Sequence, residues 1–119
     1  MRTRRNIEYY LVRYIPAALN DSLVNIGVLA VEPDVSKFAD AKFISDWSKV
    51  TALDPDADVE VLDALRREIQ ILWCDPNNRT GLLRMMEDSW SNMIQLSDAR
   101  SCVTEDPARE VERLASLYL

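Results

Sequence analysis

The stretch Glu8–Val31, EYYLVRYIPAALNDSLVNIGVLAV, constrains this chain more than any other. Residues 7–15 are dense in aromatic and β-branched side chains, the composition of a strand. Pro16 lacks a ladder donor and ends that strand. Residues 17–22, with Asn20-Asp21-Ser22, carry turn chemistry. Residues 23–31 form a second apolar run, so the segment is predicted to be a β-hairpin. Period-two alternation puts Tyr10, Val12 and Tyr14 on one face of the first strand, and Tyr9, Leu11, Arg13 and Ile15 on the other. Both sets are largely apolar, which predicts a strand covered on both faces. Gly27, inside the second strand, marks a bulge or a close backbone approach. If the strands pair antiparallel about the 16–22 loop, Arg13 and Asn25 fall opposite each other on one face, a register that a one-residue slip would undo.

The rest of the chain supplies the cover. Glu32-Pro33-Asp34 reads as a turn and residues 36–44 as a polar third strand at a sheet edge. Trp47, Val50 and Leu53, three apart, predict a short helical turn. Asp54, Asp56 and Asp58 cluster where a helix starts, with Asp58 or Asp54 as its cap. Leu62, Leu65, Ile69 and Leu72 then define an amphipathic helix ending before Asp75-Pro76. A second helix is predicted over 80–89 with Leu82, Leu83, Met86 and Trp90 inward, then a short strand at 92–96. Residues 101–104 extend or pair with that strand. Asp106-Pro107 opens a last helix whose Val111, Leu114, Ala115 and Tyr118 share one face. The order is β-β-β-α-α-β-α: one α+β domain over residues 1–119, a small antiparallel sheet packed by three or so helices. Residues 1–6 read as a loose basic terminus.

Composition removes whole classes of chemistry. The 119 residues contain no histidine, which excludes His-assisted nucleophiles, His-ligated zinc and His general bases. Two glycines leave no phosphate-binding glycine loop. The acidic triplet at 54–58 resembles a spaced metal-ligand set but lacks the glycine and distal glutamate of a calcium loop, and capping explains it. No metal or cofactor is expected. A net charge of −6 argues against nucleic-acid binding. No apolar run reaches the roughly 20 residues that span a bilayer. Cys74 and Cys102 have neither metal-ligand nor redox spacing, which suits a cytoplasmic protein with reduced thiols.

Arg13 is the residue whose placement asks for an explanation. A guanidinium inside an apolar strand needs acceptors. One reading is an internal pair with Glu8, Asp21 or a helix C-terminus. The other is an anion contact made with Asn25 and a tyrosine, Tyr10 or Tyr14. Asn25 itself reads as a bulge device bonding local backbone, or as part of that site.

Tyr10-x-x-Arg13-Tyr14-x-Pro16, Asn25-Ile26-Gly27-Val28, Ala52-Leu53-Asp54-Pro55-Asp56-Ala57-Asp58, Ile94-Gln95-Leu96-Ser97 and Thr104-Glu105-Asp106-Pro107 together resemble the bacterial domain-of-unknown-function family 3037 over almost the whole chain. Where members carry a glutamate three residues before the asparagine, this chain has Ser22, with Asp21 beside it. The resemblance implies a small bacterial cytosolic protein. Family genes neighbour HipA-like kinase genes, which implies an accessory or interaction role with such a kinase. Self-association is the other partner reading, and an anionic small molecule at Arg13 and Asn25 is the alternative function.

Overall fold

The computed structural model describes residues 4–16, 23–33, 38–87 and 94–119. Among these residues, five strands and four helices follow in the order β1 (Arg5–Tyr14), β2 (Val24–Val31), β3 (Ala39–Phe43), α1 (Ser48–Leu53), α2 (Val59–Cys74), α3 (Pro76–Glu87), β4 (Ile94–Leu96), β5 (Arg100–Thr104) and α4 (Pro107–Tyr118). This is the expected α+β architecture. Arg5 and Asn6, expected in a loose terminus, belong to β1: Arg5 pairs with Thr104 in the sheet. Its guanidinium clamps the buried Glu32, with Nε donating to Oε2 at 2.8 Å.

All pairings are antiparallel, and β3, β2 and β1 lie side by side in that order. The far edge of β1 carries two strands in tandem, β4 beside Val12–Tyr14 and β5 beside Arg5–Tyr9. Residues 101–104 therefore extend the 94–96 strand along the sheet and do not pair with it. Ser97 explains the join. Its N–H donates to the Leu11 carbonyl at 2.9 Å, while its Oγ, not its carbonyl, accepts the Leu11 N–H at 2.8 Å. A side chain thus replaces one ladder bond. From Val12 to Tyr9 β1 advances three residues, while the facing chain advances four, from Leu96 to Arg100. The extra residue is absorbed there, as in a bulge.

The sheet is covered on both faces. Val12, Tyr14, Ile26, Leu29 and Val31 meet Val50 of α1, Leu62, Ile69 and Trp73 of α2, and Leu82 and Met86 of α3. Tyr9, Leu11, Val28 and Ala30 meet Val111 and Leu114 of α4. The two-sided apolar alternation of β1 is the cause of this layering. In α2, Asp58 Oδ1 accepts the Val61 N–H, and the apolar spacing lays Leu62, Ile69 and Trp73 on the sheet. In α4, Asp106 accepts from the Arg109 N–H and Pro107 takes the first turn.

Two boundaries differ from expectation. α3 starts at Pro76, not Thr80. Pro76 both closes α2 and opens the next helix, where its missing N–H has no intrahelical role. Asp75 assists by accepting the Asn77 N–H at 3.0 Å and the Asn78 Nδ2 at 2.7 Å. β3 is described from Ala39. The 34–37 part of the expected turn and strand, and Trp90, lie outside the described residues.

At its central residue the open edge of β3 is capped by side chains. Asp40 Oδ1 accepts the Ala41 N–H at 2.9 Å, and Gln70 Nε2 donates to the Ala41 carbonyl at 3.3 Å. Such capping withholds the edge from further strands.

Gly27 faces Phe43 across β2–β3. A Cβ at Gly27 would lie 2.6–3.0 Å from three atoms of the Phe43 ring. The close approach read from the sequence is therefore made by an aromatic ring. Gly27→Ala is expected to cost about 1–3 kcal/mol through overpacking, measured by urea denaturation, and Phe43→Leu in the same chain is expected to recover part of it.

Candidate functional site

The hairpin pairs Glu8 with Val31 through Val12 with Gly27, then shifts by one residue and pairs Arg13 with Asn25. Ile26 is the extra residue. Without it Arg13 would face Ile26. The bulge thus lies one residue from the glycine that signalled it, and it brings Asn25 to Arg13. It also breaks the alternation expected of β2, since Ile26 joins Leu29 and Val31 in the core under α2.

On its other side Arg13 pairs with Gln95 of β4. Paired residues in an antiparallel sheet share a face, so Asn25, Arg13 and Gln95 form one polar row across three strands. Val12 and Tyr14 point into the α2–α3 core, which turns Arg13 to the α4 side of the sheet, in line with Leu11 and Tyr9. Gln95 is exposed and Arg13 and Asn25 are half-buried. Gln95 was missed in the sequence. Its signal was the same as theirs, one polar residue inside a short apolar run.

The row contains unmet hydrogen-bonding capacity. Arg13 Nε and Asn25 Oδ1 are both buried, and neither has a hydrogen-bond partner among the described residues. Of the expected internal partners, Glu8 does not supply one. Glu8 is an odd number of residues from Arg13 along β1 and projects from the opposite face. Asp21 lies outside the described residues. Asn25 Oδ1 bonds no backbone among the described residues. A buried unsatisfied donor or acceptor carries a penalty of about 1–3 kcal/mol, larger when charged.

The two candidate tyrosines sit across the sheet from this row. Tyr10 packs edge-on against Trp73, ring centroids 6.0 Å apart. Tyr14 is fully buried, and its hydroxyl donates to Asp54 Oδ2 at 2.6 Å. Burial, then the bond to Asp54, pushes the Tyr14 phenol up to about 12. The fold therefore favours the neutral phenol, and its contribution is complete below pH 10, the ordinary tyrosine value. It is lost as pH rises from about 10 through 12. Tyr14→Phe is expected to flatten that part of the stability profile, read as melting temperature against pH. The acids at 54–58 have structural duties: Asp54 also accepts the Asp56 N–H, and Asp58 caps α2. With Tyr14, Leu62, Leu65 and Ile94 they border a cavity of about 170 Å³.

Arg13, Asn25 and Gln95 together offer guanidinium donors flanked by two amides, an arrangement suited to a phosphate or carboxylate. Amide oxygen and nitrogen exchange by a simple flip, so Asn25 can serve such a group as donor.

No curated protein and no solved structure matches the chain. A family model described as a protein of unknown function (DUF3037) matches residues 9–119, which takes in the whole Asn25–Arg13–Gln95 row, the Tyr14–Asp54 contact and the Ser97 join. The chain belongs to the DUF3037 family.

Proposed function

We propose that this protein is a small binding module that takes an anionic group, phosphate or carboxylate, at Arg13 and Asn25. The observation that supports the reading is the buried Arg13 Nε, which has no acceptor among the described residues and lies beside Asn25 across one bulge. A buried guanidinium N–H left without an acceptor is costly, and a ligand that supplies one removes the cost. The anion belongs to a nucleotide or phosphorylated metabolite, or to a side chain of a partner protein, a HipA-like kinase included. The setting is cytoplasmic, consistent with two free cysteines and with the absence, among the described residues, of a helix long and apolar enough to cross a membrane. Of the basic N-terminal residues, Arg5 is engaged by Glu32.

The test is a melting-temperature screen with inorganic phosphate, pyrophosphate, nucleoside mono-, di- and triphosphates, dicarboxylates and a phosphoserine peptide. A probe at ten times its Kd stabilises by about 1.4 kcal/mol, a rise of roughly 5 °C for a domain of this size. The rise is expected to vanish in Arg13→Met and Asn25→Ala. If no probe moves the wild type, or if a probe moves the wild type and Arg13→Met equally, the reading fails.

A further inference from the structure

The two edges of the sheet differ at their central residues. At β3 both outward polar groups of Ala41 are capped from within the chain. At β5 the outward groups are open among the described residues. Leu11 bonds Ser97 through both its N–H side and its carbonyl side, so odd-numbered residues of β1 direct their backbone toward β4 and β5. Arg5, Ile7 and Tyr9 therefore bond Thr104, Cys102 and Arg100, their register partners. That leaves the N–H and C=O of Ser101 and Val103 pointing away from the sheet, and none of the four has a partner among the described residues. Their side chains lie on the face opposite Cys102, which packs toward α4, and both are exposed, Val103 to 61%.

The strand Arg100-Ser-Cys-Val-Thr104 has no proline, and its central three residues carry no charge, so it lacks the usual devices that protect an edge. It is also self-complementary. An antiparallel copy centred on Cys102 pairs all five residues: Arg100 with Thr104, Ser101 with Val103, Cys102 with Cys102. In this register the outward N–H and C=O of Ser101 meet those of Val103 at both ends, four hydrogen bonds in all. No like charges face each other within it. It also sets Arg100 of each copy one residue from the acidic Glu105–Asp106 turn of the other.

The geometry points to a second copy of this chain as the partner of β5, joined about a two-fold axis through Cys102 into one continuous ten-stranded sheet (five strands from each copy). This is independent of the anion reading, since β5 lies along Arg5–Tyr9 and the polar row lies at the other end of β1.

The pairing makes Cys102 a reporter. It sits at a non-hydrogen-bonded position, where facing Cα atoms are about 4.5 Å apart, within the roughly 4.4–6.8 Å that a disulfide spans. The experiment is light-scattering mass across concentration, with mild oxidation of the same samples. An added oxidant takes two electrons from the two thiols, and two protons are released as the S–S bond forms. Burial, then Glu110, raises the Cys102 thiol, so a mildly alkaline buffer speeds the reaction. The expected mass is twice 13.6 kDa, with a covalent dimer that Cys102→Ser abolishes and Cys74→Ser does not. Val103→Pro removes an outward N–H and no ladder bond. The double variant Ser101→Lys with Val103→Lys sets like charges opposite each other on exposed positions. Each is expected to return the mass to 13.6 kDa with the circular dichroism spectrum kept. A wild type that is monomeric at its highest soluble concentration would overturn the proposal. So would a dimer that survives both edge variants, or one that fails to cross-link through Cys102.

Discussion

Replacing Trp73 with alanine is expected to destabilise the protein by about 3–5 kcal/mol, and urea denaturation at 25 °C checks it. Trp73 is completely buried and lies where α2 crosses the sheet. Its Nε1 donates to the Ala30 carbonyl at 2.9 Å, a bond from helix to central strand. Tyr10 meets its ring edge-on, and the Arg79 guanidinium lies 5.4 Å from the ring centroid while its Nε donates to the Trp73 carbonyl. Alanine removes the ring from among all of these. Domains of this size hold about 5–15 kcal/mol in total, so the variant is expected near its threshold of folding. Trp73→Phe keeps most of the volume and loses the hydrogen bond, so about 1–2 kcal/mol is expected. Equal losses in the two variants would mean that the hydrogen bond, not the packing, carries the effect.

The second large effect runs the other way. Arg13→Met is expected to stabilise the unliganded protein by about 1–2 kcal/mol. Methionine keeps a long apolar stem along the strand and removes a buried donor that no described residue satisfies. The same variant is expected to lose anion binding altogether, because the guanidinium supplies the charge. Gain of stability with loss of binding is the expected signature of a residue kept for a ligand. An internal ion pair gives the opposite sign, since removing one partner strands the other charge in the fold. Asn25→Ala is expected to follow the same pattern with a smaller change, as it frees one neutral acceptor.

Much of this is legible along the chain. The hairpin, its two-sided burial and the opposition of Arg13 and Asn25 follow from local composition and from the position of the 16–22 loop. The bulge residue was beyond that reading. Gly27 announces an irregularity, but that Ile26 is the extra residue is set by the β1–β2 register, which pairs Val12 with Gly27 and Arg13 with Asn25. The tandem placement of β4 and β5 was hidden for a similar reason. Two short runs near each other in sequence suggest a hairpin, whereas β1 is long enough to pair with both, and Ser97 absorbs the slip. Pro76 signals the end of one helix in the sequence, but it also begins the next. The separation of Tyr10 and Tyr14 from Arg13 was already implicit in the alternation of β1. What could not be foreseen is that Tyr14 is committed to Asp54, forty residues away.

The central claim is that Arg13 is held ready for an anion and is not a strut of the fold. Urea denaturation of Arg13→Met beside the wild type, both without ligand, tests it most directly. The expected result is a higher midpoint for the variant with an unchanged dependence on urea. A lower midpoint, by the equivalent of about 2 kcal/mol or more, would mean that Arg13 is paired inside the protein and would contradict the account.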